Sequence, residues 1–241
     1  MFPSEPIHRE KEQGMAECIP MQKHYRFVRL LLQPVAKIYF RLRVTGEENL
    51  PRQGGLLLAA NHCSYLDPPL IGVGLSRQIC YLAKEELFRI PLFGLLLRWF
   101  GTYSVNRKQG DIRAVRTMLR LLQEDKALLI FPEGTRSENG RLLPLEEGLA
   151  WLSLRSGVPI VPLYVSGSWR ALPRGRWFPR PHPVNVIIGK TIFPESAGED
   201  PSQKSNIERL TAQVTQALLA LRNQIEPLED EAGLKNPIGK P

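Results

Sequence analysis

The chain of 241 residues has few cysteines and no long apolar run. Its three cysteines, Cys18, Cys63 and Cys80, form no C-x-x-C pair and no even disulfide pattern, which favours a reducing compartment. No apolar run approaches the roughly 18–20 residues that span a bilayer. The first ten residues are too polar for the apolar core of a signal peptide. We therefore expect a protein that lies on a membrane surface, if it meets a membrane, and has no spanning helix.

Acidic residues are missing from two long stretches. Residues 18–46 and 148–194 each contain six Lys or Arg and no Asp or Glu, in a chain with a formal net charge of +8. Two separate basic zones fit a protein that lies on an anionic surface. A nucleic-acid binder is the rival interpretation, but the basic zones contain no helix-turn-helix, aromatic ribonucleoprotein motif or zinc site. We expect no nucleic-acid partner.

Hydrophobic periodicity predicts one α/β domain. Apolar runs predict strands at residues 56–60, 79–83, 102–105, 127–131, 160–165 and 184–188. Between them, helices are predicted at residues 68–75, 112–123, 145–155 and 205–225, and residues 91–100 form a short apolar helix or a membrane-facing segment. Strands that alternate with helices indicate a mostly parallel mixed sheet flanked by helices.

The chain divides into four predicted segments: a flexible arm (1–20), an amphipathic membrane-surface helical segment (21–45), the main domain (46–225) and a disordered tail (226–241). In the helical segment, one polar stripe contains Arg26, Arg29, Gln33, Lys37 and Arg41. Pro34 is expected to kink or split this helix. The helix either packs on the core or lies in a membrane interface with its basic face toward headgroups; the absence of acids favours the interface.

The first chemical motif, residues 61–69, follows the predicted strand at 56–60. His62 can exchange a proton near neutral pH, and Asp67 can fold back onto the other ring nitrogen if the residues between them form a turn. Asp67 before Pro68 is also a good helix start, which is the structural alternative. Cys63 is a poor candidate for a nucleophile, since no separate histidine serves it, and no third ligand for a metal is evident.

Three further motifs follow other predicted strands. The strand at 102–105 leads to Arg107, whose guanidinium suits a phosphate group. The segment Phe-Pro-Glu-Gly-Thr-Arg-Ser (131–137) has a glycine that lets backbone N–H groups approach an anion, and Glu133 in it can anchor the loop or hold an arginine. In Val-Pro-Ile-Val-Pro (158–162), two prolines suggest an edge strand or the start of a strand that lines an apolar slot, with core packing as the alternative.

These four motifs occur in the order and at the intervals that resemble the 1-acylglycerol-3-phosphate acyltransferases of the PlsC type. The resemblance runs from residue 44 to residue 192 and includes Gly-Glu-Glu-Asn-Leu-Pro (46–51) and Ala-Lys-Glu-Glu-Leu (83–87). It marks residues 46–225 as an acyltransferase domain.

The resemblance implies an acyl transfer from acyl-CoA or acyl-carrier protein to the sn-2 hydroxyl of 1-acylglycerol-3-phosphate, with no metal and no cofactor. His62 is the general base and Asp67 orients it. The implied substrate-binding residues are Lys84, Arg107, Glu133, Gly134, Thr135 and Arg136. The implied partners are a lysophospholipid, an acyl thioester and an anionic membrane surface. The short chain and the lack of an organellar targeting signal favour the cytoplasmic face of the cell membrane as the location. Another lysolipid acceptor, or an inactive lipid-binding protein, is the alternative.

One departure from the family pattern concerns the substrate, and one further segment of the chain concerns membrane contacts. Glu146 and Glu147 stand where many relatives carry a lysine, which leaves the headgroup of the acceptor open. The segment 168–182 is rich in Trp, Arg and Pro, which favours a loop at the lipid interface over a surface loop that covers the core.

Overall fold

The computed structural model describes residues 22–105, 112–195 and 203–225. The predicted arm (1–20), the predicted tail (226–241) and Arg107 lie outside the described residues. The flexibility of the two ends therefore stays a prediction.

Strands and helices alternate along the described chain. The strands are β1 (Arg43–Thr45), β2 (Leu56–Ala60), β3 (Ile79–Lys84), β4 (Thr102–Val105), β5 (Ala127–Ile130), β6 (Ile160–Ser166) and β7 (Asn185–Ile188). The helices are α1 (Lys23–Tyr39), α2 (Asp67–Gly74), α3 (Glu85–Phe88), α4 (Phe93–Trp99), α5 (Ile112–Gln123), α6 (Gly148–Ser156), α7 (Ser168–Ala171) and α8 (Lys204–Ile225). All predicted strands and helices are confirmed to within a few residues. Three short elements were not predicted. Strand β1 falls at the end of the predicted helical segment (21–45), and α3 and α7 are single helical turns, too short for a helical period to show.

The seven strands form one sheet in the order β1-β7-β6-β2-β5-β3-β4. Every neighbouring pair is parallel except β6 with β7. The predicted mostly parallel mixed sheet is thus confirmed. Because β2 to β6 run in one direction, their carboxyl ends share one edge of the sheet, where α/β folds place their sites.

Strand β2 lies in the middle of the sheet and is buried on both faces. Leu56, Leu58 and Ala60 pack in the layer that contains α1 and α2, while Leu57 and Ala59 pack in the layer of α5, α6 and α8. Side chains alternate between faces along a strand, so an unbroken apolar run is what a strand between two helical layers requires. This packing holds the end of β2 rigidly.

Strand β6 corrects the prediction that the two prolines near it mark an edge strand. It is buried along its whole length and pairs with both β2 and β7. Pro162 is tolerated inside because regular pairing with β7 begins only at Leu163. At Pro162 itself the contact is the N–H of Gly189 donating to its carbonyl oxygen (2.8 Å). Pro159 directly precedes the first residue of β6, so the strand start is confirmed, and core packing is the correct interpretation of Pro162.

Helix α1 continues through Pro34 as a single helix, so the proline does not split it. Both Pro34 and Leu30, whose carbonyl loses its helical partner, are exposed, where the lost hydrogen bond costs least. One face buries Tyr25, Val28 and Ala36 against the core. The hydroxyl of Tyr25 donates to the carbonyl oxygen of Gly72 (3.0 Å).

The outer face of α1 is exposed and apolar. Its large side chains are Phe27, Leu30, Leu31, Val35 and Ile38, of which Ile38 is 80% exposed. The core-packing interpretation is thus confirmed for one face of the helix, and the membrane-interface interpretation stays a prediction. None of the helices in the described ranges is long and apolar enough to cross a bilayer.

Candidate active site

His62 lies just beyond the carboxyl end of β2, and Asp67 is the first residue of α2. The residues between them form a tight turn, closed by a hydrogen bond from the N–H of Asp67 to the carbonyl oxygen of Ser64 (3.2 Å). The turn returns the carboxylate of Asp67 to His62, as the spacing of five residues predicted. Asp67 starts the helix, but its carboxylate points back into the turn rather than capping the first helical N–H groups.

One oxygen of Asp67 accepts three hydrogen bonds. Its Oδ2 accepts from Nδ1 of His62 (2.9 Å) and from the backbone N–H groups of Cys63 (2.7 Å) and Ser64 (2.8 Å). The side chain is fully buried, and its Oδ1 has no hydrogen-bond partner among the described residues. Three fixed donors on one atom leave the carboxylate no freedom to rotate.

The hydrogen bond to Asp67 sets the tautomer of His62. A carboxylate can only accept, so we assign the proton of the neutral imidazole to Nδ1, which leaves a lone pair on Nε2. The ring also stacks on Phe131, with the ring centroids 4.0 Å apart and the planes at 19°. With 17% of its side chain exposed, the imidazole is oriented, accessible and competent to take a proton from a hydroxyl group.

The segment after β5 surrounds the backbone of His62. Oε1 of Glu133 accepts the N–H of His62 (2.6 Å), and the N–H of Ser137 donates to the carbonyl oxygen of His62 (2.7 Å). Oε2 of Glu133 accepts the N–H of Leu143 (2.7 Å). Burial raises the pKa of Glu133, and the hydrogen bonds from Leu143 and His62 oppose that rise. These contacts favour Glu133 as a loop anchor, and its predicted contact with a substrate stays a prediction.

The next three residues of this segment form an outward turn. Gly134 and Thr135 are exposed, and Gly134 adopts φ +67°, a conformation that favours glycine. The guanidinium carbon of Arg136 lies 3.6 Å from the ring centroid of Tyr65, which is two residues before Asp67. This cation–π contact keeps the charge of Arg136 beside the turn that carries His62.

The other two predicted cationic residues cannot be placed at the site. Lys84 is the last residue of β3, at the same edge of the sheet, but its side chain lies outside the described residues. Arg107 lies outside them entirely. Their contacts with a substrate stay predictions.

Asn61 is a site residue that the sequence did not single out. Its Nδ2 donates to the carbonyl oxygen of Val165 (3.0 Å), and its Oδ1 accepts the N–H of Val165 (2.7 Å). The side chain thus extends the pairing of β2 with β6 by one step, just before His62. A buried amide directly after five apolar residues was the available signal.

Cys63 points away from the imidazole. Its sulfur lies 3.8 Å from the carbonyl oxygen of Gly140 and 3.5 Å from Nδ2 of Asn61. Across the described ranges, no three His, Cys, Asp or Glu side chains are grouped as metal ligands.

Exposed apolar side chains surround α1 on two sides. Toward α4, the ring of Phe27 meets that of Trp99 edge to face at 6.4 Å, and Leu92 is 83% exposed. At its other end, the hydroxyl of Tyr39 donates to the carbonyl oxygen of Pro179 (3.0 Å), next to the exposed Trp177 and Phe178. Two aromatic residues of the predicted interface loop are thus exposed beside the outer face of α1.

Comparison with known proteins places this geometry among acyltransferases. A family model described as Acyltransferase matches residues 41–166, just over half of the chain. The 1-acyl-sn-glycerol-3-phosphate acyltransferase of Bacillus subtilis is 28% identical over 205 residues, which cover 85% of this chain and 100% of that protein. The chloroplastic 1-acyl-sn-glycerol-3-phosphate acyltransferase BAT2 of Brassica napus is 30% identical over 164 residues, or 66% of this chain but only 47% of that protein.

A solved structure is also similar. The crystal structure of the 1-acyl-sn-glycerophosphate acyltransferase PlsC from Thermotoga maritima superposes with a TM-score of 0.70 at 26% sequence identity. The match covers 86% of this chain and 83% of that one. It includes far more of the chain than the four motifs do.

Proposed function

This chain belongs to the acyltransferase family, and on that premise we propose that it acylates the sn-2 hydroxyl of 1-acylglycerol-3-phosphate to give phosphatidic acid. The acyl donor is a thioester, either acyl-CoA or acyl-carrier protein. The observation that carries the proposal is the imidazole of His62, which Asp67 holds through Nδ1 (2.9 Å) with Nε2 left open. Both the Bacillus subtilis and the Thermotoga maritima relatives are named for this reaction.

The proposed reaction is a direct transfer. Nε2 of His62 takes the proton of the sn-2 hydroxyl while its oxygen attacks the thioester carbonyl carbon. The C–S bond then breaks, the ester forms, and the leaving thiolate takes the proton from the imidazolium. The buried carboxylate of Asp67 stabilises the imidazolium between the two transfers, and general-base assistance of this kind contributes roughly 10²–10⁴-fold.

The phosphate group of the acceptor is proposed to bind at the outward turn of Gly134, Thr135 and Arg136. A glycine with positive φ lets the backbone approach an anion closely, and the guanidinium of Arg136 offers two parallel donors. Lys84 and Arg107 are proposed to add charge from the neighbouring strand ends.

One observation favours a different lysolipid acceptor. The carboxylate of Glu146 packs directly against the α-carbon of Gly134, where a side chain would otherwise stand. A carboxylate in this place repels a phosphate dianion and attracts an ammonium group. A lysolipid with an amine in its headgroup, such as lysophosphatidylethanolamine, is therefore the second candidate acceptor.

We also propose that the protein acts on an anionic membrane surface at the cytoplasmic face. The exposed apolar side chains are those of the outer face of α1, of Leu92 just before α4, and of the pair Trp177 and Phe178. The arginines of the stripe lie beside the outer face of α1. A helix of this kind inserts its apolar face at the headgroup boundary. Lysolipid acceptors reside in that layer, so the site would meet its substrate there.

A mass-spectrometric acyl-transfer assay tests the function. Purified protein in anionic vesicles is given lysophosphatidic acid or lysophosphatidylethanolamine, each with acyl-CoA and with acyl-carrier protein. We expect phosphatidic acid from the wild type and none from a folded His62→Ala variant. Product from lysophosphatidylethanolamine alone would select the second acceptor. No product with any pair, despite vesicle binding, would leave an inactive lipid-binding protein.

A further inference from the structure

Three contacts from one short segment converge on His62. Phe131 stacks on its ring, Glu133 accepts its backbone N–H, and the N–H of Ser137 donates to its carbonyl oxygen. His62 and Glu133 are 71 positions apart in the chain, so this is a tertiary contact between the ends of β2 and β5. The backbone of His62 is thus held on both sides of its α-carbon.

Within the described part of the chain, both oxygens of the Glu133 carboxylate accept hydrogen bonds from backbone N–H groups. Oε1 takes the N–H of His62 and Oε2 takes the N–H of Leu143, and only 5% of the residue is exposed. The nearby guanidinium of Arg136 stacks on Tyr65 instead of pairing with it. Among the described side chains no cation pairs with Glu133, and burying a carboxylate that accepts only neutral N–H groups costs more free energy than burying a neutral acceptor would.

We propose that Glu133 is a positioning residue for the base: it fixes the main chain of His62 so that Nε2 points at the acceptor hydroxyl, and it does not bind the substrate. The carboxylate bridges His62 to Leu143, which closes the loop that begins at Phe131. The same bridge makes Gly134, Thr135 and Arg136 protrude. The base and the proposed phosphate turn are therefore parts of one rigid unit. This inference rests on the proposed role of His62 as the base.

The role predicts a loss in turnover rather than in binding. Substrate does not touch the carboxylate, so the KM for either substrate should change little. A misplaced base slows proton transfer, and a displacement of about 1 Å costs about 10²-fold in rate. A residue that contacted the phosphate would instead raise the KM for the acceptor.

The test uses Glu133→Gln and Glu133→Ala in the full chain. Glutamine has the shape of glutamate, but its single oxygen can satisfy only one of the two N–H donors. We expect kcat to fall about 10-fold in Glu133→Gln and about 10²-fold in Glu133→Ala, with KM values within about threefold of wild type. The matched control is Ser153→Ala, which deletes a buried hydrogen bond to the carbonyl oxygen of Val158 (2.6 Å) in α6, away from the site.

A second readout does not depend on turnover. In protein with ¹⁵N-labelled histidine, the imidazole signals of His62 report its orientation and its bond to Asp67. We expect these signals to broaden or shift in both Glu133 variants. In Ser153→Ala they should stay unchanged, even if that variant loses as much melting temperature as the Glu133 variants do.

Either of two results would overturn the inference. The first is a KM for the acceptor raised more than tenfold at unchanged kcat, which would make Glu133 a substrate ligand. The second is an equal loss of kcat in Ser153→Ala, which would make the effect one of stability alone. If the wild type forms no product, the proposed function fails. The positioning role is tested independently by the imidazole signals: unchanged His62 signals in the Glu133 variants would reject it.

Discussion

The edge of the sheet around His62, where the parallel strands end, differs from the outer face of α1 in the kind of side chains it presents. At the edge, buried polar groups of His62, Asp67 and Glu133 meet partners at 2.6–2.9 Å. On α1, Ile38 and Leu30 are 80% and 70% exposed and have no role in the core. The first region specifies the positions of a few atoms, while the second offers only apolar area.

The two regions should therefore respond differently to substitution. Loss of a single atom at the edge leaves a buried donor or acceptor unpaired and misplaces the base. Loss of one side chain on α1 should remove only a share of the proposed contact with lipid, which is additive over the apolar area. The experiments below test whether single substitutions abolish activity at the site but only gradually weaken vesicle binding at the outer face of α1.

Asp67→Asn should have the largest effect. The amide keeps the volume of the carboxylate, but its neutral oxygen no longer stabilises the imidazolium and accepts the three N–H donors more weakly than the anionic Oδ2 does. We expect kcat to fall by roughly 10²–10⁴-fold with vesicle binding unchanged. Steady-state kinetics and vesicle sedimentation measure the two quantities. A parallel loss of vesicle binding would show that the two regions are not independent.

Replacing Phe27, Leu31 and Ile38 together by serine should have the opposite effect: vesicle binding is lost while turnover is kept. Each substitution removes part of the 1.5–3 kcal/mol or so that a buried apolar side chain contributes, so we expect vesicle partitioning to fall about 10²-fold. Turnover of a short-chain acceptor in detergent micelles should stay near wild type, because none of the three side chains touches His62. Gln33→Ser, on the polar stripe of the same helix, is the control. Unchanged partitioning would refute the membrane role of this face.

Arg136→Lys should act only on acceptor binding. Lysine keeps the charge but loses the planar fork and its stacking on Tyr65, so we expect the KM for lysophosphatidic acid to rise about tenfold at similar kcat. Arg141→Lys, on the exposed loop that follows, serves as the matched control. An unchanged KM would move the phosphate group away from the outward turn.

Tyr25→Phe should have the smallest effect and tests how α1 is held. The substitution leaves the carbonyl oxygen of Gly72 without its donor, which should lower the free energy of unfolding by about 1–2 kcal/mol. Burial raises the pKa of Tyr25 from 10.0 to about 12. The stabilisation from its neutral hydroxyl is therefore present below pH 10 and lost as the pH rises from 10 through 12.

Urea titrations of both proteins at pH 8 and pH 11 measure that loss. The difference in unfolding free energy between wild type and Tyr25→Phe should narrow at pH 11. An equal difference at the two pH values would place the hydroxyl in a less buried setting.

Local features of the site were predictable from the sequence, and distant ones were not. The pairing of His62 with Asp67 follows from five residues of spacing and one turn. The contact of Glu133 with the N–H of His62 depends on β2 and β5 being neighbours, which no local pattern specifies. For the same reason, the prolines near β6 predict an edge strand, although the strand order places β6 next to the central strand β2.

Helix α1 shows the same limit. Periodicity separated its polar stripe from its apolar residues, but it could not tell which apolar residues would meet the core. Tyr25 and Val28 pack inward, while Phe27 and Leu31, equally apolar, face outward. The choice is made by α2 and by the sheet, which lie far away in sequence.

The pairing of β1 with β7 has a consequence for the order of folding. Arg43 lies opposite Asn185, so β1, the first strand of the described residues, has no partner in the sheet until β7, the last of them, has left the ribosome. Closing so long a loop is slow compared with forming a helix. The central strands β2, β5 and β6 are complete before β7 is synthesised. The edge strand β1, which follows directly on α1, is therefore synthesised first and joins the sheet last.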